Sequence, residues 1–498
     1  MDNGLKMRMD ILRGAADQQI IKPLRTHGWN AEISSEHRVG EYLIIRATKQ
    51  EVENKVALLY SSATENKHYR KMAEEVSHIF TNGALYMVES FAYGIDIPVT
   101  PIDDFFPVMA QWNKQVSPSS TAKSYKPITK SSRRITAENP LDGVWAHLNQ
   151  LASVKLSEKL IRGRASSEGI ELPQDQILTK ALGVAFCIRS ATDYFRGMPH
   201  ESTNKRVLSL YYGCLALASA EMLAAPNGCV DLDQVEGMTR FGHGLFTLPS
   251  TSGSLGDLVV GVLASGFFPQ WMHSLGHDIG GYPKSKPKSP SDLQKLAPTM
   301  HTTLGALLAA LPEVSDILDQ VYALEPSWLS AVIDYESSAP LIRGRTGSTY
   351  VHFYDQSDKI KKARLETVPW PIAELTLVEI AESKGTCYRA RVDHPDCEYW
   401  HQALPLHHSP FFEGSALILP VLSDVVEHRA ICMSVLYALS ILVRYMPSAW
   451  RRVEGGDWDE NLALMKTSLN MMERMLPQQF LESITGERIA SRLPGGLF

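Results

Sequence analysis

At 498 residues, with 44% hydrophobic and 21% charged residues, the chain exceeds the roughly 250–300 residues at which a single core stops growing and is too apolar for wholesale disorder. A formal net charge of −6 argues against a globally basic nucleic-acid coat and leaves room only for a local basic patch. The six cysteines, Cys187, Cys214, Cys229, Cys387, Cys397 and Cys432, are scattered, and three of them sit in apolar stretches, which suits a reducing compartment and thiols that behave as small hydrophobes.

Taken in order, Met9–Leu24 carries helical spacing (Ile11, Leu12, Ala15, Ala16, Ile20) and stops near Gly28. Asn30–Ser34, Tyr42–Ala47 and Val56–Tyr60 read as strands of a mixed sheet, Lys67–Phe80 as a helix, and Ala84–Glu89 as a fourth strand. Met1–Gly14 holds Lys6, Arg8 and Arg13 without an apolar stretch, so no secretory signal is expected there and a cytoplasmic location fits.

From Phe105 to Ala137 there is no acidic residue, and Lys114, Lys123, Lys126, Lys130, Arg133 and Arg134 lie among many Ser, Thr and Pro. Such a stretch cannot bury a core. Residues 113–138 are therefore expected to be a basic linker between a domain at 1–112 and one at 139–498.

Beyond Pro140 helical patterns dominate: Val144–Leu160, Gln174–Phe195, Lys205–Ala225, Asp292–Leu311, Glu313–Ile333, Ser423–Arg444 and Glu460–Leu476. A β-rich insertion is expected at 343–408, with strands at Ser348–Tyr354, Ile372–Val378 and Thr386–Val392. The most apolar run, Ala430–Val443, is closed by Arg429 and Arg444 and falls short of the roughly 20 residues that span a bilayer. It reads as a core helix, and no membrane partner is expected. The fold class is thus α+β, a small α/β domain joined by a basic linker to a large, mainly helical one.

The helical part resembles the YaaC-like family. The residues that carry the likeness are the Trp145 helix with Leu148–Leu151, the run Leu210-Tyr211-Tyr212-Gly213-Cys214-Leu215-Ala216, the turn Arg240-Phe241-Gly242-His243-Gly244-Leu245, and Tyr437 to Trp450 through Leu442-Val443-Arg444-Tyr445. The Tyr-Tyr helix also resembles HEPN domains, helical bundles that are often ribonucleases, whose signature pairs an Arg with a His a few residues on. Arg444 takes the first place, but Trp450 stands where the imidazole would be, and tryptophan cannot titrate near neutrality. Arg345 and His352 have acceptable spacing in a strand-like, Gly-rich context. The first hundred residues resemble restriction-endonuclease-like (Mrr-type) domains in their order of elements. That resemblance implies an acid on one strand and an acid-x-Lys on the next to hold Mg²⁺. Glu41 matches the first, whereas Tyr60-Ser61-Ser62 lacks the rest, so the resemblance implies a degenerate nuclease fold kept for binding.

Cys387, His394, Cys397 and His401 supply the donor types of a structural Zn site, with His407 and His408 nearby; the spacing is not that of a standard finger. The glycines flanking His243 allow close backbone approach, making Arg240 and His243 ligand-loop candidates, although a His that pins a turn is commoner. A helix face with Arg189, Asp193, Tyr194 and Arg196 beside Lys205-Arg206 can grip phosphates or simply be solvated.

The leading expectation is a cytoplasmic, non-catalytic nucleic-acid-binding or scaffold component of a prokaryotic defence or mobile-element system. It would contact nucleic acid, DNA ahead of RNA, through Lys123, Lys126, Lys130, Arg133 and Arg134, and would engage a protein partner of the same system, with homo-oligomerisation left open. No cofactor is expected; Mg or structural Zn is the alternative. The rival functions are a metal-dependent or HEPN-type nuclease with a non-contiguous site, drawing on Glu41, Arg345, His352 or Arg444, and a small-molecule sensor built on Arg240 and His243.

Overall fold

In the computed structural model, the described residues are 3–492 except 27–28, 50–51, 84, 106–107, 110–111, 113–131, 198–199, 250–252, 279–280, 345–346, 358–359, 361–364, 367, 369, 379–384, 396, 398, 410, 412–413 and 423. The chain divides into two compact units, one of 1–124 with 361–370 and one of 125–360 with 371–498.

In the first unit, β1 (Asn30–His37), β2 (Tyr42–Lys49), β3 (Val52–Leu59), β4 (His78–Thr81) and β5 (Val99–Pro101) form one sheet in that order. The β1–β2 and β2–β3 pairs are antiparallel, and β3–β4 and β4–β5 are parallel. The alternation of β2 explains the layering, because successive side chains leave opposite faces of a strand. Leu43, Ile45 and Ala47 pack with Met9, Leu12, Ile20 and Leu24 of the N-terminal helical segment, while Tyr42 and Ile44 pack with Tyr69 and Met72 of the Asn66–Ala73 helix. Two expectations shift here. The helix ends at Ala73 because the apolar residues Ile79 and Phe80 belong to β4, and the last two residues of the expected fourth strand, Val88 and Glu89, open a short helix, Val88–Phe91.

The second unit is built on the antiparallel-patterned helices Gln174–Phe195 and Thr203–Ala224, with His428–Tyr445 and Asp459–Thr485 sharing their core. Ser132–Thr136, expected to be linker, forms β6 and pairs in parallel with a strand at the far end of the chain, Arg488–Arg492. Ile135 and Ile489 bury there, and that apolar pair is what a Ser/Lys-rich composition hides. Between the helices lie β7 (Leu245–Leu248), β8 (Val259–Val262) and β9 (His301–Thr303), which make a three-stranded sheet.

The β-rich region is broader than its expected bounds. β10 (Trp328–Ile333), β11 (Ser348–Asp355), β12 (Ile372–Val378), β13 (Thr386–Asp393), β14 (Leu406–His408) and β15 (Ser415–Ile418) form a sheet ordered β12-β13-β11-β10-β15-β14. The expected helix Glu313–Ile333 therefore splits into Ser315–Tyr322 and β10. Likewise Asp292–Leu311 resolves into Pro290–Leu293, β9 and Leu304–Ala309. Short apolar runs serve helix and strand equally, and pairing decides between them.

Among the described residues, Thr203–Ala224 is the one helix long and apolar enough to cross a membrane, and 78% of its apolar window is buried inside the protein. His428–Tyr445 with Pro447–Glu454 passes the same test only as a pair bent by 103°.

Candidate functional site

Two polar constellations lie at opposite ends of the His428–Tyr445 helix. At its N-terminal end, the consecutive residues Glu427, His428 and Arg429 each take a different buried partner. His428 Nε2 lies 3.1 Å from Glu313 Oε2, and His407 Nε2 lies 2.5 Å from Glu313 Oε1. The two imidazoles stack with centroids 4.0 Å apart and planes 4° apart. Gln479 closes the far side, its Nε2 3.1 Å and its Oε1 3.3 Å from His428 Nδ1, with Nε2 also 3.5 Å from His407 Nδ1.

The charges set the protons on the Glu313 side of this cage. Burial works against the Glu313 carboxylate, yet His428 and His407 hold it well below the usual carboxylate range. Burial also opposes charge on His428, but Cys432 and Glu313 raise it well above the ordinary histidine value, while burial and the His428 charge push His407 down to about 4. A protonated His428 and a neutral His407 then each donate from Nε2 to Glu313, while the Gln479 amide lies against the Nδ1 atoms of both rings.

Arg429 donates from Nη2 to Glu221 Oε1 at 2.7 Å, and the same carboxylate accepts from Trp271 Nε1 at 3.0 Å. His277 bridges Asp424 (3.0 Å) and Glu427 (2.7 Å). Burial alone would lower His277, but these two carboxylates outweigh it and raise it to about 9.

Glu313, His407 and His428 are also the described residues best grouped to hold a metal ion, with ligand atoms within 4.8 Å of one another. Their donors suit Zn or another transition metal. The flat stacking, however, sets the two Nε2 lone pairs side by side, so convergence on one ion requires a ring to turn.

At the C-terminal end of the same helix, Arg444 Nη1 donates to the Tyr212 hydroxyl at 3.1 Å and its guanidinium lies 5.0 Å from the Tyr445 ring centre. Tyr212 stacks on Tyr194 at 5.8 Å and meets Tyr211 edge-on at 5.4 Å. His243 lies edge-on to Tyr211 at 5.4 Å and 6.0 Å from the Tyr437 ring. Burial, and next the Arg444 charge, lower the His243 pKa, keeping its imidazole neutral. The turn that delivers His243 depends on Gly242 and Gly244, both at positive φ (87° and 77°), and a Cβ on Gly244 would sit 2.2 Å from Pro269 Cδ. Phe241 and Tyr445, exposed at 73% and 67%, leave aromatic surface open beside the cluster.

The other candidates fare differently. Cys387 lies near the start of β13 and His394 just past its end, about 20 Å apart at the rise of a strand, so Cys387, His394, Cys397 and His401 do not converge on one Zn site. His394 bonds instead to Thr349 and the Cys397 carbonyl, and His401 stacks on Tyr399. Glu41 sits in a turn at φ 52° with its carboxylate held by Arg8 (2.6 Å). No metal-ligand group forms around it among the described residues.

Arg345 lies outside the described residues, and His352 on β11 is 3.7 Å from Asp334, which Arg389 also engages at 2.9 Å. Lys123, Lys126 and Lys130 likewise lie outside the described residues. Arg133 and Arg134 are in β6, with Arg133 ion-paired to Glu487 at 2.8 Å. Arg240 ends the Leu232–Arg240 helix and is exposed. In the basic helix face, Arg206 is tied to Glu473 (2.9 Å) and Arg189 to the Ala152 carbonyl (2.8 Å). Glu313, His428 and Gln479 had no signal in the sequence beyond the apolar runs around them, whereas Tyr211, Tyr212, His243, Tyr437 and Arg444 all fall in the runs that carried the family likeness.

A family model described as YaaC-like Protein matches residues 149–484. No curated protein and no solved structure matches the chain. The matched span is more than half of the 498 residues and takes in both polar constellations, and on that extent the chain belongs to the YaaC-like family.

Proposed function

We propose that the protein binds nucleic acid, and that its family unit takes a single strand on the face formed by Tyr194, Tyr212, Phe241, His243, Arg444 and Tyr445. The observation that carries this reading is the contiguous chain from Arg444 through Tyr212 and Tyr211 to His243, flanked by open aromatic rings. Unpaired bases stack on aromatic side chains, and guanidinium groups contact phosphate. The cations of the 113–138 segment add a sequence-independent contribution to affinity. The degenerate-nuclease reading of the N-terminal unit is supported by Glu41 being occupied by Arg8. Service in a defence or mobile-element system remains part of the proposal by analogy with the HEPN and Mrr-type resemblances.

The test is fluorescence anisotropy with labelled single-stranded RNA, single-stranded DNA and duplex DNA across a salt series. Tyr194→Ala should weaken single-strand binding by about 5- to 150-fold, the ~1–3 kcal/mol of one stacked base. Arg444→Gln should flatten the plot of log affinity against log salt by about 0.7, the value of one single-strand phosphate contact. Absence of binding at low salt, or both variants behaving as wild type, refutes the reading.

A second reading, RNA cleavage of the HEPN type, is favoured by one observation. His243, held neutral by burial and by the Arg444 charge, would supply the imidazole that Trp450 lacks. A neutral imidazole can take the proton of a 2′-hydroxyl while a guanidinium faces the phosphate. Cleavage that persists in EDTA and disappears in His243→Ala with the fold intact supports it; cleavage that needs Mg²⁺ and disappears in Glu41→Ala opposes it.

A further inference from the structure

The Gln174–Phe195 helix turns most of its apolar residues into the core, including Ile177, Ala181, Val184, Ala185 and Ile188. On its outer face it also carries Leu178, Leu182 and Phe186, exposed at 42%, 51% and 56%. Three large apolar side chains spaced four apart form one continuous stripe on a helix surface, and a contiguous exposed apolar patch on a folded unit marks an interaction surface.

The stripe ends in opposite charges, Asp175 toward the N-terminus and Arg189 toward the C-terminus, both exposed. The spacing Asp175, Leu178, Leu182, Phe186, Arg189 is three, four, four, three, and so reads the same in either direction about Leu182. This symmetry identifies the occupant.

We infer that this face is a homodimer interface in which the helix packs antiparallel on the same helix of a second copy. The two-fold axis passes at Leu182. Leu182 then meets Leu182, Leu178 meets Phe186 twice, and Asp175 meets Arg189 twice, the self-complementarity that a two-fold contact requires. The three-and-four spacing follows the shallow ridge of helices crossing near 20°. The 15 residues from Asp175 to Arg189, 14 helical rises, then make about 21 Å of paired helix.

The adjacent helix, Val154–Ser167, widens the strip. Arg189 reaches back to the Ala152 carbonyl and Arg162 to Gln174, so the two helices run antiparallel side by side. This puts Leu156, exposed at 40%, level with the centre of the stripe. With one helix and its flank from each copy, the contact belongs to the small end of specific interfaces, roughly 1,200 Å² in total.

Sedimentation velocity on the full chain, from 1 to about 50 μM, tests the inference. Wild type should show a concentration-dependent monomer–dimer equilibrium. Leu182→Glu places two carboxylates on the axis and should weaken the dimer at least about hundredfold. Asp175→Arg and Arg189→Asp should each weaken it about tenfold, since symmetry counts each lost pair twice, and the combined charge swap should restore it. Circular dichroism melts check that each variant is folded.

Oxidised Leu182→Cys should give a covalent dimer, since the axis brings the residue onto itself. A wild-type chain that stays monomeric at 50 μM overturns the inference. So does a dimer that Leu182→Glu and the charge swap leave unchanged.

Discussion

Replacing His277 by Gln should destabilise the family unit in a pH-dependent way. His277 is 8% exposed and is held between Asp424 and Glu427, which raise its pKa from 6.5 to about 9. Because the folded-state value lies above the unfolded one, the stabilisation is fully present below about pH 6.5, where both states are protonated. It falls as pH rises and is gone above about pH 9. Each pH unit of displacement is worth about 1.4 kcal/mol, so the full contribution is on the order of 3 kcal/mol. Glutamine keeps a donor in the same place but carries no charge, and should therefore remove most of that contribution. Urea midpoints followed by tryptophan fluorescence, Trp271 being in the adjoining Glu221 contact, should separate wild type from variant widely at pH 6. The gap should shrink through pH 7–9 and close near pH 10. A gap of constant size from pH 6 to pH 10 would refute the reasoning, since packing loss alone does not titrate.

Glu313→Gln leaves a protonated His428 buried without its anion and should cost about 3–5 kcal/mol at pH 7; a melting temperature within a degree of wild type counts against the proton assignment. Trp450, 5% exposed and donating from Nε1 to Asn204 at 2.7 Å, is a packed aromatic, so Trp450→Ala should lose about 3–5 kcal/mol by denaturation and Trp450→His alone should create no ribonuclease. Gly242→Ala meets open space and should cost only the roughly 1–2 kcal/mol of a left-handed backbone, whereas Gly244→Ala adds a collision with Pro269 and should unfold at clearly lower urea.

Local pattern was enough for several elements. The period of apolar residues gave Gln174–Phe195 to the residue, because a long amphipathic run has few alternatives. Three strands of the N-terminal sheet, and β11 to β13, were legible from alternation and β-branched content. Where the run was short, composition misled. Ile79 and Phe80 looked like the end of a helix and are a strand, and Ser132–Thr136 looked like linker and is a strand paired with residues 488–492. In both cases the deciding partner lies elsewhere in the chain.

The Cys387–His401 spacing suggested a metal site from donor types alone, and strand geometry separates its members. Donor type is written in the sequence; distance across a fold is not. The sequence by itself determined the longest helices, such as Gln174–Phe195, and the likeness to the family; that Leu178, Leu182 and Phe186 stay exposed on that helix was decided by the tertiary structure. Only the tertiary structure brought Glu313, His407, His428 and Gln479 from four separate segments into one buried cage, and His243 to the neighbourhood of Arg444. The physical reason is that periodicity reports a residue's relation to its own helix or strand axis. A site is made by side chains from different axes, and their meeting is set by how whole faces pack.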